Sequence, residues 1–154
     1  MLKIISHFAV IAAIISGSTV AKAESSIYFG RWTNGEDKPV YSSRGILYKT
    51  IDIAPCGADF CGVSVDDKMG CGPILFRFLM IHANTDYLTG HGRWGNDKLK
   101  VILTPAGDPG PKQELLIGLG DQSFDFEGRE GSMPKFRAQY KNIGDAKCIG
   151  NVGS

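Results

Sequence analysis

Between residues 27 and 141 short runs rich in β-branched and aromatic residues alternate with turn clusters, and several of the runs alternate apolar and polar positions with a period of two, the pattern of half-buried β-strands. Leu99, Val101 and Leu103 share one face of a run, with Lys98, Lys100 and Thr104 on the other. Phe136, Ala138 and Tyr140 likewise oppose Lys135, Arg137, Gln139 and Lys141. Runs of this kind predict strands over 27–33, 45–54, 61–65, 74–82, 87–94, 98–104, 113–119, 124–129 and 135–141. They are separated by Asn34-Gly35-Glu36-Asp37, Asp66 to Gly70, Asn84-Thr85-Asp86, Gly95-Asn96-Asp97, Pro105 to Lys112 and Gly131 to Pro134. Each cluster holds residues that supply a positive or a fixed φ. Eight or nine short strands joined by tight turns predict an all-β fold, an antiparallel up-and-down barrel whose closure removes exposed edges. A two-sheet sandwich is the second architecture the pattern allows. The run Ile74 to Ile81 is apolar on both faces and reads equally as a doubly buried strand or a short helix. Barrels of about eight strands are either filled by side chains or just hold one small ligand. Trp32, Phe76, Phe78, Trp94 and Phe136 are the aromatics expected to line such a cavity.

The first 23 residues break from this pattern. Lys3, the apolar stretch Phe8 to Ile15 and Ala21-Lys22-Ala23 have the three parts of a cleavable secretory signal, cut before Glu24. The apolar stretch is too short to span a bilayer, and no later stretch is longer. No cysteine follows the cut directly, so a lipid anchor is not expected. The remaining residues, 24–154, make one domain, large enough to bury its own core. The expected location is the periplasm or the outside of a bacterial cell. Without the signal the charge is nearly balanced, 15 basic against 16 acidic side chains. That argues against nucleic acid and anionic membranes as partners. The 20 glycines lie at turns and within strand-like runs, as in a tightly turned β protein.

Cys56, Cys61, Cys71 and Cys148 are an even set in an exported chain, which reads as two disulfides. If Gly57-Ala58-Asp59-Phe60 is a hairpin loop, Cys56 and Cys61 face each other across the ladder, within bridging reach. Cys71 then pairs with Cys148 by elimination. The chain-entropy model gives the short loop roughly 2 kcal/mol and the long one roughly 4–5 kcal/mol. A four-cysteine metal site is disfavoured, because the spacing lacks paired C-x2-C units and the compartment oxidises thiols.

Two stretches carry a resemblance. Gly30-Arg31-Trp32 resembles the G-x-W signature of lipocalin-like (calycin) barrels, in which the Trp closes one end. Ile53-Ala54-Pro55-Cys56-Gly57-Ala58-Asp59-Phe60-Cys61-Gly62 is similar to the P-C-G-x-x-x-C-G hairpin of the small exported bacterial family DUF2147, also lipocalin-like. The resemblance covers residues 30–65; Cys71, Cys148 and the segment 131–136 depart from it. It implies a barrel and an exported location, and it supplies no catalytic residues. The residues agree with it: Tyr28, Gly30 and Trp32 share one face, and a glycine permits close approach of a neighbouring backbone.

Catalytic readings are weak. Gly90-His91-Gly92-Arg93-Trp94-Gly95 matches G-x-G-x-x-G formally, but it lies inside a strand rather than between a strand and a helix. His82 and His91, with Asp86, would be a minimal metal set across a hairpin, yet no H-x-H or H-E-x-x-H spacing supports ligation. Asp125, Glu127, Arg129 and Glu130, opposite Phe124 and Phe126, place two carboxylates on one strand face. A solvated β face explains such a pair more often than a glycosidase does. No G-x-S-x-G elbow appears, and no free thiol is expected. The expectation is a non-enzymatic exported barrel without cofactor or metal, carrying a small apolar or amphipathic ligand. The alternative is a protein-binding module of the bacterial envelope, an assembly partner or a hydrolase inhibitor, that binds through loops such as 105–111.

Overall fold

The computed structural model describes residues 25–35, 47–108, 112–121 and 136–148. The expected signal, residues 1–23, lies outside them, as do the expected strand 124–129, the acidic cluster at 125–130 and residues 109–111 of the proline-rich loop. Eight strands form a closed barrel in chain order: β1 (Gly30–Asn34), β2 (Thr50–Cys56), β3 (Asp59–Val65), β4 (Cys71–Leu79), β5 (Leu88–Trp94), β6 (Asp97–Ala106), β7 (Glu114–Gly120) and β8 (Phe136–Gly144). Every neighbouring pair is antiparallel, and β8 returns to β1. β7 pairs directly with β8, Leu115 opposite Tyr140 and Ile117 opposite Ala138. Among the described residues no helix is long and apolar enough to cross a membrane.

Most expected strands fall within a few residues of the observed ones; three differ for physical reasons. Residues 27–29 form a turn rather than the start of β1. Gly30 then enters the strand at φ +147°, and a Cβ there would lie 2.5 Å from the Asn142 amide and 3.0 Å from the Gly144 carbonyl. The β2–β3 loop is shorter than the four residues expected. Cys56 pairs with Asp59, leaving Gly57 and Ala58 as the turn, with φ +80° at Gly57.

The third difference is β4, which begins at Cys71 and stops at Leu79, where Met80–His82 turn into a short 3-10 segment. Its apolar run is not a doubly buried strand. Gly62 pairs with Phe76 and the next residue, Val63, with Ile74, so Leu75 is an extra residue in a β-bulge. The bulge places both Leu75 and Phe76 in the core, while Leu79 and Ile81 remain exposed.

The inward positions of all eight strands make one core. Phe60 stacks on Tyr28 and on Phe78, Phe78 meets Phe76, and Trp94 meets Phe136, with centroids 5.0–6.0 Å apart. Inward glycines make room for these rings. A side chain at Gly62 would enter the Phe76 ring, and one at Gly90 would come within 2.7 Å of Phe78. Gly90 and Gly92, which gave the formal G-x-G-x-x-G match, are therefore packing positions under aromatic side chains and the β4 backbone.

Candidate functional site

A β-barrel offers three places for chemistry: its interior, its outer wall and its two ends. The interior holds the residues expected to line a ligand cavity. Trp32 is 0% exposed, and its indole N–H donates to the Tyr28 carbonyl at 2.8 Å. Phe76, Phe78, Trp94 and Phe136 are all members of the central core, in ring contact as described. The far end is stoppered by Tyr48, whose ring meets Trp94 edge-on at 4.8 Å. The Tyr48 hydroxyl accepts from the Gly95 amide, and its carbonyl accepts from the Tyr140 hydroxyl.

The outer wall carries a buried ion pair. Arg31 and Asp52 sit opposite each other on β1 and β2, outside the barrel, and both are buried. The guanidinium donates Nε to Oδ1 at 2.6 Å and a terminal nitrogen to Oδ2 at 2.7 Å. The same Oδ2 accepts the backbone amides of Lys147 and Cys148 at 2.8 and 2.7 Å. Burial pushes the Asp52 carboxyl up. The hydrogen bonds from Arg31, Cys148 and Lys147, with the Arg31 charge, outweigh that and hold it below its ordinary range. The hydrogen bond to Asp52 conversely raises Arg31.

Around this pair the C-terminal segment covers a second apolar cluster of Cys56, Cys61, Val63, Val65 and Cys148, with Ile74 against it. Both disulfides lie here. Cys71–Cys148 joins β4 to this segment, with Cα atoms 5.5 Å apart. Cys56–Cys61 spans the hairpin diagonally, because Cys61 is paired with Ala54 rather than with Cys56; the Cα atoms are 5.8 Å apart. All four cysteines are disulfide-bonded and the ion pair is saturated with partners, so this region reads as a structural clamp.

The N-terminal end, by contrast, is open. It carries the start of β1, the β4–β5 and β6–β7 connections and the end of β8. The turn at 26–29 folds across it. Ser26 donates to the Ala83 carbonyl and accepts from the Tyr28 amide, and the Tyr28 hydroxyl donates to the Thr85 carbonyl at 2.5 Å. Burial raises the Tyr28 hydroxyl well above its ordinary value; the bond to Thr85 opposes this, and the Asp86 charge adds to it. Beside the turn lies a groove of about 730 Å³. Ser25, Ser26, Ile27 and Phe29 form one wall, Asn84 and Gln113 a second, and Asn142 to Asp145 the third. Gln113 is only 6% exposed, and its side chain has no hydrogen-bond partner among the described residues. Its backbone carbonyl, by contrast, accepts from the Asn142 amide at 3.1 Å. None of Trp32, Phe76, Phe78, Trp94 and Phe136 lines the groove.

The minimal metal set does not assemble. His82 ends the 3-10 segment, whereas His91 stands mid-strand opposite Lys100. Among the described residues no group of three His, Cys, Asp or Glu side chains is placed to hold a metal ion. The groove escaped the sequence reading because its walls come from four separate segments, built of residue types that loops everywhere contain. No family model, curated protein or solved structure matches the chain.

Proposed function

We propose that this protein is an exported, non-enzymatic binding domain that holds a small amphipathic molecule in the groove at the N-terminal end of the barrel. The observation that carries this reading is the groove itself. It is a concavity of about 730 Å³ with apolar and hydrogen-bonding walls, within the roughly 300–1,000 Å³ typical of small-ligand sites. The aromatic interior, the other candidate container, is occupied by its own side chains. Two disulfides fit an oxidising compartment and so support export. The position of Trp32 and Gly30 at the start of β1 supports kinship with lipocalin-like exported barrels such as DUF2147.

Native mass spectrometry of the protein purified from its own compartment tests the reading. A co-purified small molecule is expected, lost when the exposed groove residue Ile143 is changed to Arg. Bare protein throughout, or a bound mass indifferent to Ile143→Arg, would contradict it. A second reading, docking of an envelope protein, is favoured by Leu79, Ile81 and Tyr87. These are 56%, 81% and 45% exposed along the β4–β5 connection. In that case the co-purified species is a polypeptide, released by Ile81→Asp.

A further inference from the structure

We infer that the groove ligand is a neutral saccharide of a few rings; this rests on the binding reading above and names its chemistry. Three carboxamides, Asn84, Gln113 and Asn142, face the same space as Ser25 and Asp145. A carboxamide offers both donors and acceptors, and so does every sugar hydroxyl; a lipid tail offers neither. Gln113 is the telling member. Its side chain is largely enclosed by the groove wall and makes no hydrogen bond to another described residue, so a ligand hydroxyl can take up its amide hydrogen bonds. Asn142 Oδ1 accepts from the Gly144 amide, which fixes the side chain and leaves its NH2 group to donate.

Phe29, Ile27 and Ile143 supply the apolar surface against which the C–H face of a sugar ring packs. Phe29 is braced edge-on by Phe60 at 5.8 Å. Charge narrows the class further. Among the described lining residues Asp145 is the sole charged side chain and no side chain is cationic, which disfavours fatty-acid carboxylates and phosphate headgroups. An extended peptide is disfavoured for a different reason. Peptides commonly bind by adding a strand to a free sheet edge, and the two strands whose ends border the groove, β1 and β8, are paired with each other.

The test is calorimetric titration of the processed, disulfide-bonded protein with maltotriose, cellotriose and chitotriose, and in parallel with 1-decanol and decanoate. Saturable binding of at least one saccharide is expected. It should weaken about tenfold in Gln113→Leu, the equivalent of roughly 1.4 kcal/mol. The exposed variant Asn84→Leu serves as the second probe should Gln113→Leu not fold, and is expected to weaken binding in the same direction. Failure of all three saccharides to bind up to millimolar concentration overturns the inference, as does binding that neither variant alters. Decanol binding abolished by Ile143→Arg, without saccharide binding, overturns the saccharide assignment and leaves the groove as the site. If neither class binds and no molecule co-purifies, the binding reading falls with it.

Discussion

Asp52 and Arg31 show how much one pair of residues can hold. Breaking a buried pair from one side leaves the other charge uncompensated, at a cost of about 3–5 kcal/mol. Asp52→Ala should fall in that range by urea denaturation, since it strands Arg31 and also frees the Lys147 and Cys148 amides. The pH dependence has a definite sign. The folded-state carboxyl lies below its unfolded value of about 3.9, so its stabilisation is complete above that pH. It is lost as the pH falls through the lower folded value. Urea midpoints at pH 7 and pH 3 should therefore drop more in the wild type than in Asp52→Ala, and equal drops would contradict the assignment. Trp32, with no exposure, should cost about 3–5 kcal/mol on change to Ala. In a Trp94→Phe background its emission should be blue-shifted; emission typical of indole in water would place it outside the core. Trp32 was legible in the sequence because alternation and a nearby glycine marked its face. The Arg31–Asp52 pair was not, because an alternating pattern assigns charged side chains to solvent. One signal did exist: Cys61, Val63 and Val65 are apolar at successive outward positions of β3, which calls for a cover.

At the scale of elements, period-two patterning located β5 to β8 closely, because these strands are regular and turn residues bound them. It failed at β4, where the Leu75 bulge converts an apparently two-faced apolar run into two adjacent core residues. Periodicity carries no information about an inserted residue. The same strand owes its fit to glycines across from it. Gly62→Ala should cost about 1–3 kcal/mol by overpacking against the Phe76 ring. Adding Phe76→Leu should recover part of that loss; strictly additive losses in the double-mutant cycle would show that the two positions do not share a space. The C-terminal segment is a different kind of element, held by one disulfide across 77 residues and by the Asp52 carboxylate. Cys148→Ser should lower stability by about 2–5 kcal/mol. It should also speed amide exchange at 145–148 before it affects the strands, a readout that separates release of the segment from general loosening.

For the whole molecule, the architecture and the disulfide pairing followed from pattern and spacing, while the groove proposed as the binding site did not. A barrel fold invites the expectation that its ligand sits inside, and the aromatic strands Phe76-Arg77-Phe78 and Arg93-Trp94 strengthened it. In the folded chain those rings pack on one another, and a groove lies where the turn at 26–29, the β4–β5 and β6–β7 connections and the end of β8 meet. The most direct measurement is a comparison of amide NMR spectra. The protein as isolated from its own cells would be set against the same protein after unfolding and refolding with its disulfides intact, a cycle that strips bound small molecules. Differences confined to residues 25–29, 84, 113 and 142–145 are the predicted result. Differences centred on Phe76, Phe78, Trp94 and Phe136, or identical spectra, would contradict a binding site at the end of a filled barrel.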